Sequence, residues 1–272
     1  MSERPEVSVV VVTWRDREHV LACLASLREH AGVPYEVIVV DDASGDGTPE
    51  AVREQFPEAI VAAKPYNEGL VAGRNIGVPL ARGRFILMLD SDTEVKPGAI
   101  ETMLAAFARE PKLGLVGPKL IGAQGELQPS CRRYPPFLAP VQRRGPYAKI
   151  NDNPPSHQRH LMQDFDHAHE RAVVWVSGAA QMWRAELAAI LGPYDRWVSS
   201  YGGEDLDWCL RVWEAGYRVH YVPDAVVVHH WQAVTRQNLF GRKAWRAFRD
   251  WYYLQYKHRA LRGSPVIADA VR

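Results

Sequence analysis

Two aspartates separated by one residue, Asp90 and Asp92, follow the apolar run from Phe85 to Leu89. Such a run is typical of a strand that is buried on both faces. Because side chains alternate along an extended backbone, the two carboxylates can point to the same side. Carboxylates in this position are typical ligands of a hard cation such as Mg²⁺ or Mn²⁺. An acidic helix cap would explain the same pattern, so the motif alone leaves both interpretations open.

Other predicted strands also end at polar residues. Thr13 follows a valine-rich run, Asp42 follows residues 36–40, and His229 follows residues 225–228. In a parallel sheet the carboxyl ends of the strands share one edge, and ligands bind there. We therefore expect Thr13 and Asp42 to hold a nucleotide base, with the Asp42 carboxylate accepting from a ring N–H. The alternative for residues 41–47 is a tight turn, because Asp, Ser and Gly favour turns.

Two cations and two histidines complete the candidates near this edge. Lys64 and Arg74 supply positive charge that suits a diphosphate, although Arg74 could equally be a solvated helix residue. His229 lies on the same predicted edge as Asp92 and is therefore a candidate metal ligand. The adjacent His230 offers the same ligand atoms, and a purely structural role is open for either histidine.

A second acidic pair, Glu204 and Asp205, follows two glycines at a predicted helix start. Acidic residues favour helix N-termini, which is a sufficient structural explanation for the pair. The same position keeps Asp205 ionised, as a base that accepts a proton from a hydroxyl must be.

The elements that position these residues alternate between strands and helices from Val7 onward. This alternation predicts an α/β protein with a Rossmann-like, mostly parallel sheet flanked by helices. Residues 7–12, 36–40, 59–63, 85–89 and 113–116 are the expected strands, and residues 217–221 and 225–228 are expected to form two later ones. Regular periodicity is lost over residues 117–171. This stretch is too long for an ordinary connection and is therefore expected to be either functional or mobile.

The C-terminal segment, residues 236–262, is predicted to be a basic, aromatic-rich helical extension. Aromatic residues recur at helical spacing, and Asp250 is its only carboxylate. Such a helix suits the surface of an anionic membrane. Alternatively, its aromatic residues pack on the domain and leave a solvated basic face.

Bulk properties exclude several classes of protein. The 272 residues carry a formal net charge of +1, which does not suggest a nucleic-acid-binding protein. The 3 cysteines are far apart and predict neither a disulfide framework nor a zinc site. We see no secretory signal in the first residues and no apolar run as long as a membrane span. The expected location is the cytoplasm, with peripheral attachment to the inner face of the plasma membrane as an option.

The order of these motifs resembles the family 2 inverting glycosyltransferases of GT-A fold. The resemblance covers residues 7–231 and includes V-V-V-T-W at 10–14, D-D-A-S-G-D-G-T at 41–48 and L-D-S-D-T at 89–93. It continues through residues 67–77, 176–179, 204–211 and 222–230. The pattern is most similar to the bacterial rhamnosyltransferase-like branch. Ser91 stands where the family more often has proline, and Asp42 stands where asparagine is common; neither difference removes a required carboxylate.

The resemblance implies a role for each candidate residue. It implies that Asp205 is the catalytic base, and that Asp92 and His229 bind Mg²⁺ or Mn²⁺. The residues implied for the donor nucleotide-sugar are Thr13, Trp14, Arg15, Asp42, Lys64, Asn67, Gly69, Arg74, Asp90, Ser91 and Asp92. Those implied for the acceptor side are Ser177, Gly178, Glu204 and Trp208. Residues 129–170 match no motif of the family, but their length, their prolines and the Arg132–Arg133 and Arg143–Arg144 pairs predict an acceptor-side loop.

The same resemblance implies substrates and a division of the chain. The donor would be a dTDP-, UDP- or GDP-linked sugar and the acceptor a glycan or a lipid-linked molecule, with rhamnosyl transfer favoured. Residues 1–117 would bind the nucleotide-sugar, 118–232 would bind the acceptor and carry the base, and 233–272 would form the extension. Two other functions fit parts of the pattern. A sugar nucleotidyltransferase should have a glycine- and lysine-rich loop after the first strand, where Trp14, Arg15 and Asp16 stand instead, and the acidic motifs argue against a non-catalytic binding protein.

Overall fold

The structure is a computed structural model that describes residues 4–134, 136, 155–198, 203–230, 242–265 and 267–268. The strands are β1 Val7–Thr13, β2 Tyr35–Asp41, β3 Ile60–Ala63, β4 Phe85–Asp90, β5 Thr93–Val95, β6 Leu113–Ile121, β7 Leu127–Gln128, β8 Cys131–Arg132, β9 Arg171–Ala172, β10 Trp175–Val176, β11 Ala180–Arg184 and β12 Arg218–His229. The helices are α1 Arg17–His30, α2 Thr48–Gln55, α3 Leu70–Gly77, α4 Ala99–Arg109, α5 Pro155–His160, α6 Leu187–Leu191, α7 Gly203–Glu214 and α8 Arg242–Lys257.

One mixed sheet organises the molecule, and its strands follow the order β3-β2-β1-β4-β11-β6-β12-β5. The strands β3, β2, β1 and β4 are parallel, as the alternation of strands and helices predicts. β11 lies antiparallel between β4 and β6, which the sequence did not reveal. In this register Thr13 is beside Asp41, and Val12 is beside Asp90. The parallel half therefore brings the polar strand ends together at one edge.

Helices cover both faces of the sheet because the strands alternate their apolar side chains. Val9 and Val11 of β1 face a core shared with α1 and α4, whereas Val10 and Val12 face a core that includes Leu206 of α7. α3 lies very close to β1, since a Cβ atom on Gly73 would lie 2.5 Å from Val12 Cγ1. This close approach holds α3, and with it Arg74, next to the strand ends.

The prediction of two separate strands at residues 217–221 and 225–228 is wrong. β12 runs from Arg218 to His229 without a break in the strand, although its register with β6 shifts between Arg218 and Val219 and again between Val222 and Val226. Pro223 lies in this interval and has no N–H to donate, so pairing is interrupted while the backbone stays extended. β6 likewise continues beyond the predicted end at residue 116, as far as Ile121.

The C-terminal helix α8 packs one face against α7. Leu254 of α8 is buried, and so is His258, the residue that follows the helix. His258 Nε2 lies 2.8 Å from Asp207 Oδ1 of α7. Lys257 Nζ lies 2.6 Å from the same Asp207 oxygen. Packing therefore accounts for one side of this helix, while Trp245 and Tyr256 on other sides are exposed. No helix in the described parts of the chain is both long enough and apolar enough to cross a bilayer.

The long stretch from 129 to 170 is only partly described. Arg132 and Arg133 lie in its described part: the Arg132 guanidinium packs over the Trp175 ring at 4.4 Å, and Arg133 pairs with Asp164 at 2.6 Å. Residues 137–154, which include the Arg143–Arg144 pair, lie outside the described residues. The expected acceptor-side role of this stretch stays a prediction.

Candidate active site

The turn after β4 and the end of β12 form an acidic cluster with one histidine. β5 pairs with β12 so that Thr93 is opposite His229, which brings that histidine back to the turn that contains Asp92. A carboxylate oxygen of Asp90, a carboxylate oxygen of Asp92 and a ring nitrogen of His229 lie within 4.8 Å of one another. His229 Nε2 is 3.5 Å from Asp92 Oδ1.

The chemistry of this cluster fits a divalent cation. Burial is the main cause that raises the pKa of Asp90 to about 7, and repulsion from Asp205 and Asp92 adds to it. The positive charge of Arg74 opposes the shift. Burial also lowers the pKa of His229, so its imidazole is neutral and can act as a ligand near neutral pH. One or two carboxylates suit Mg²⁺ or Mn²⁺ bound together with phosphate, and the neutral imidazole adds a nitrogen ligand atom to them. His230 is directed elsewhere, because its Nε2 lies 2.7 Å from Glu94 Oε1.

Arg74 is a buried cation among three carboxylates. It donates to Asp205 Oδ1 at 3.0 Å and to the Gly178 carbonyl oxygen at 3.2 Å. Asp90 lies 3.6 Å and Glu204 3.7 Å from the same guanidinium. Burial and the neighbouring Asp205 raise the pKa of Glu204 to about 8, against the opposing effect of Arg74.

Asp205 lies in the first turn of α7, where its second oxygen accepts from the Gly178 N–H at 2.7 Å. A Cβ atom on Gly178 would lie 1.8 Å from Asp205 Oδ1, so only glycine allows this contact. Ser177 precedes this glycine, and its backbone N–H donates to the Ser130 carbonyl oxygen. Asp205, Glu204 and Gly178 therefore meet beside Arg74, and Ser177 is the chain neighbour of Gly178. The acceptor-side role of Ser177, Gly178 and Glu204 stays a prediction.

Asp42, which is predicted to contact the nucleotide base, binds groups of the 64–69 loop. The Asp42 carboxylate accepts from Lys64 Nζ and from the backbone N–H groups of Glu68 at 3.0 Å and Gly69 at 2.7 Å. The Asn67 side chain donates to the Asp42 carbonyl oxygen. Asp42 thus holds the 64–69 loop, and its contact with a nucleotide base stays a prediction.

The ends of β1 and β2 also carry buried polar side chains, those of Thr13 and Asp41. Thr13 Oγ1 and Asp41 Oδ1 are buried and lack a hydrogen-bond partner among the described residues. The two residues are partners in the β1–β2 register. Asp41 is therefore a candidate polar group of this strand end, although its sequence context is also that of a turn.

The remaining candidates divide between surface and core. Trp14 is exposed, and the Arg15 guanidinium lies over its ring at 5.2 Å. Ser91 donates to Asp16 Oδ2 at 2.7 Å and so fixes the β4–β5 turn to the start of α1. Trp208 is only 1% exposed and stacks on Tyr194 at 4.3 Å. Its side chain packs in the core behind Arg74, which corrects the expectation that it faces an acceptor.

Comparison with known proteins identifies the family. The profile of the family described as glycosyl transferase family 2 matches residues 8–160. The chain belongs to glycosyl transferase family 2.

Relatives of this family 2 glycosyltransferase extend the likeness over most of the chain. It is 28% identical over 237 residues to N-acetylglucosaminyl-diphospho-decaprenol L-rhamnosyltransferase of Mycobacterium tuberculosis, covering 82% of this chain and 75% of that protein. It is 30% identical to the pre-mycofactocin glycosyltransferase of the same species, covering 88% of this chain but only 45% of the relative. The expected resemblance to family 2, rhamnosyltransferase-like glycosyltransferases is confirmed.

Solved structures confirm the expected GT-A fold. GalNAc-T7 with UDP, GalNAc and Mn²⁺ superposes with a TM-score of 0.67 at 17% identity, covering 94% of this chain and 50% of that one. The mannosyltransferase PcManGT of Pyrobaculum calidifontis, in complex with GDP-Man and Mn²⁺, superposes with a TM-score of 0.61 at 23% identity, covering 99% of this chain and 69% of that one.

Several polar residues at the site of this glycosyltransferase were not predicted from the sequence. Besides Asp41 and Asp16, the structure adds Gln128, which contacts His229 from the short strand β7. A two-residue strand carries almost no periodic signal, so only the fold could bring Gln128 to the site.

Proposed function

We propose that this glycosyltransferase transfers a sugar from a nucleotide-diphosphate donor to an acceptor hydroxyl, with inversion and with a divalent cation. The observation that supports this most is the convergence of Asp90, Asp92 and His229 with Arg74 and Asp205 at one sheet edge. Asp92 and His229, with Asp90, would hold Mg²⁺ or Mn²⁺, and such a cation would supply positive charge to balance the departing diphosphate. The GalNAc-T7 structure contains UDP and Mn²⁺ and the PcManGT structure contains GDP-Man and Mn²⁺, which supports a divalent cation here too.

Asp205 is proposed to remove the proton from the acceptor hydroxyl. Its carboxylate is held by Gly178 and Arg74, which fix its direction without consuming every lone pair. Attack by the hydroxyl oxygen from the face opposite the nucleotide inverts the anomeric carbon. Arg74 lies between this base and Asp90, so it is placed to pair with negative charge that the leaving diphosphate brings.

The substrate class follows the relatives. We favour rhamnosyl transfer from a dTDP-linked sugar, with UDP- and GDP-linked sugars as further donors to test. The mycobacterial relative is an N-acetylglucosaminyl-diphospho-decaprenol L-rhamnosyltransferase, which supports a lipid-linked or glycan acceptor. Residues 129–170 remain the proposed acceptor-side stretch.

The exposed face around α8 supports peripheral attachment to an anionic membrane on its cytoplasmic side. Trp197 is 67%, Trp245 73% and Tyr256 68% exposed. Arg196 and Arg246 line a cleft next to Trp197. Interfacial aromatic residues with flanking arginines suit a negatively charged headgroup layer. No nucleic-acid partner is proposed.

Vesicle sedimentation tests this location. Binding should rise with the fraction of anionic lipid and fall with salt. The double variant Arg196→Gln and Arg246→Gln should bind more weakly, whereas Arg53→Gln on α2 should bind like the wild type. A wild type that ignores anionic vesicles at low salt would assign the exposed face another role.

The transfer reaction is tested by nucleoside-diphosphate release. The protein is incubated with dTDP-, UDP- and GDP-sugars and Mn²⁺, with and without a polyprenyl-diphosphate-linked N-acetylglucosamine acceptor. One donor should give acceptor-dependent release that EDTA abolishes. Asp205→Asn should lower turnover by about a hundredfold or more with similar donor affinity, while Asp224→Asn at an exposed position should not. Near-normal turnover of Asp205→Asn would transfer the base role to Glu204.

A further inference from the structure

The side chain of Gln128 makes two hydrogen bonds to a single residue, His229. Gln128 Nε2 donates to the His229 carbonyl oxygen at 2.9 Å, and Gln128 Oε1 lies 2.8 Å from His229 Nδ1. Gln128 is anchored by the β6–β7 hairpin, where it pairs with Leu120. The amide is therefore held between the backbone and the ring of the candidate metal ligand.

The chemistry of these contacts fixes the tautomer of the ring. A carbonyl oxygen only accepts, so the NH₂ group of the amide must face the His229 carbonyl. The amide oxygen then faces Nδ1, and since it too only accepts, Nδ1 must carry the proton. In a neutral imidazole the lone pair is then on Nε2, the atom that faces Asp92 at 3.5 Å.

We propose that Gln128 is a positioning residue that keeps the Nε2 lone pair of His229 available to a divalent cation. The inference rests on the proposed function, because the cation is the one proposed for the donor site. Gln128 contacts His229 and would act on the cation only through the orientation and tautomer of that ring.

The alternative tautomer shows why this control matters. With the proton on Nε2, the ring could donate directly to Asp92, because only a small movement would shorten the 3.5 Å separation. That bond would occupy one ligand atom of His229 and one of Asp92 at once. By holding the proton on Nδ1, Gln128 prevents a hydrogen bond between His229 and Asp92. His229 Nε2 and Asp92 Oδ1 then both stay available to one cation.

The test is a Mn²⁺ titration of the full chain, with free Mn²⁺ followed by electron paramagnetic resonance. Gln128→Met keeps the length of the side chain and removes both hydrogen bonds, so it should weaken Mn²⁺ binding by about 10- to 100-fold. Gln128→Glu keeps an acceptor for Nδ1–H and should stay within about threefold of the wild type. Gln124→Met, in the exposed turn of the same hairpin, is the matched control and should bind Mn²⁺ normally.

A second measurement reads the tautomer without metal. In ¹⁵N-labelled protein with EDTA, the His229 ring should show a protonated Nδ1 and an unprotonated Nε2, and Gln128→Met should lose this preference. Unchanged Mn²⁺ affinity in Gln128→Met would overturn the inference alone. Equal weakening in Gln128→Met and Gln128→Glu would also overturn it, since hairpin packing would then explain the loss. A wild type that binds no Mn²⁺ would instead refute the proposed metal dependence on which the inference rests.

Discussion

Two carboxylate-bearing strand ends of the same sheet have opposite surroundings. After β2, the Asp42 carboxylate accepts from a lysine and two backbone N–H groups, and it is almost fully buried. After β4, the Asp92 carboxylate has only His229 at 3.5 Å among the described residues, and Asp90 shares Arg74 with two other acids. The first end is completed by the chain itself, whereas the second has an excess of negative charge that a cation would balance.

The aspartates at the two strand ends are expected to differ in whether they contribute to stability or to ligand binding. Removing a partner from a buried ion pair leaves an uncompensated charge, which is costly. Removing one of several mutually repelling carboxylates relieves repulsion. The β2 end should therefore be sensitive in unfolding experiments, and the β4 end in ligand-binding experiments.

The largest stability effect is predicted for Asp42→Ala. It leaves the buried Lys64 Nζ with only the half-exposed Glu68 carboxylate, 3.2 Å away, and releases two N–H groups of the 64–69 loop. We expect the free energy of unfolding to fall by about 3 kcal/mol or more, measured by urea unfolding in EDTA. Asp92→Asn is the comparison and should change it by no more than about 0.5 kcal/mol. Equal losses in the two variants would contradict the difference between the strand ends.

Much of this site was predictable from the sequence because its residues follow buried apolar runs. The runs before Asp90 and Thr13 indicate strands, and parallel strands bring their ends together. The use of Asp42 by the 64–69 loop was not predictable, because it depends on the side-chain geometry of a distant segment. The antiparallel insertion of β11 and the burial of Trp208 likewise depend on long-range packing, which local patterns do not encode.

An intermediate effect is predicted for the pH dependence of stability through Glu204. Its pKa is raised from 4.5 to about 8 in the folded protein, so the folded state binds more protons than the unfolded state between these pH values. The free energy of unfolding should then fall as pH rises through this window, by up to about 1.4 kcal/mol per pH unit from this group. Glu204→Gln should reduce this slope relative to the wild type. Parallel pH profiles of wild type and variant in EDTA would show that Glu204 does not titrate in this way.

A smaller effect than these is predicted for Ser91→Ala. This change removes the hydrogen bond from Ser91 Oγ to Asp16 Oδ2, which ties the β4 turn to α1. Loss of one such bond should lower the free energy of unfolding by about 1 kcal/mol. The Asp90 and Asp92 carboxylates are retained, so nucleotide binding should weaken less than in Asp92→Asn. A stability unchanged within error would show that this contact contributes nothing to holding the turn.

The central claim, that the β4 end is completed by a cation that holds the donor diphosphate, is tested most directly by calorimetry. UDP, dTDP and GDP are titrated into the wild type with Mn²⁺ and with EDTA, and into Asp92→Asn and Asp224→Asn with Mn²⁺. The account predicts that at least one nucleotide binds with Mn²⁺, that EDTA or Asp92→Asn abolishes this binding, and that Asp224→Asn preserves it. Equally tight nucleotide binding in EDTA and in Asp92→Asn would contradict it.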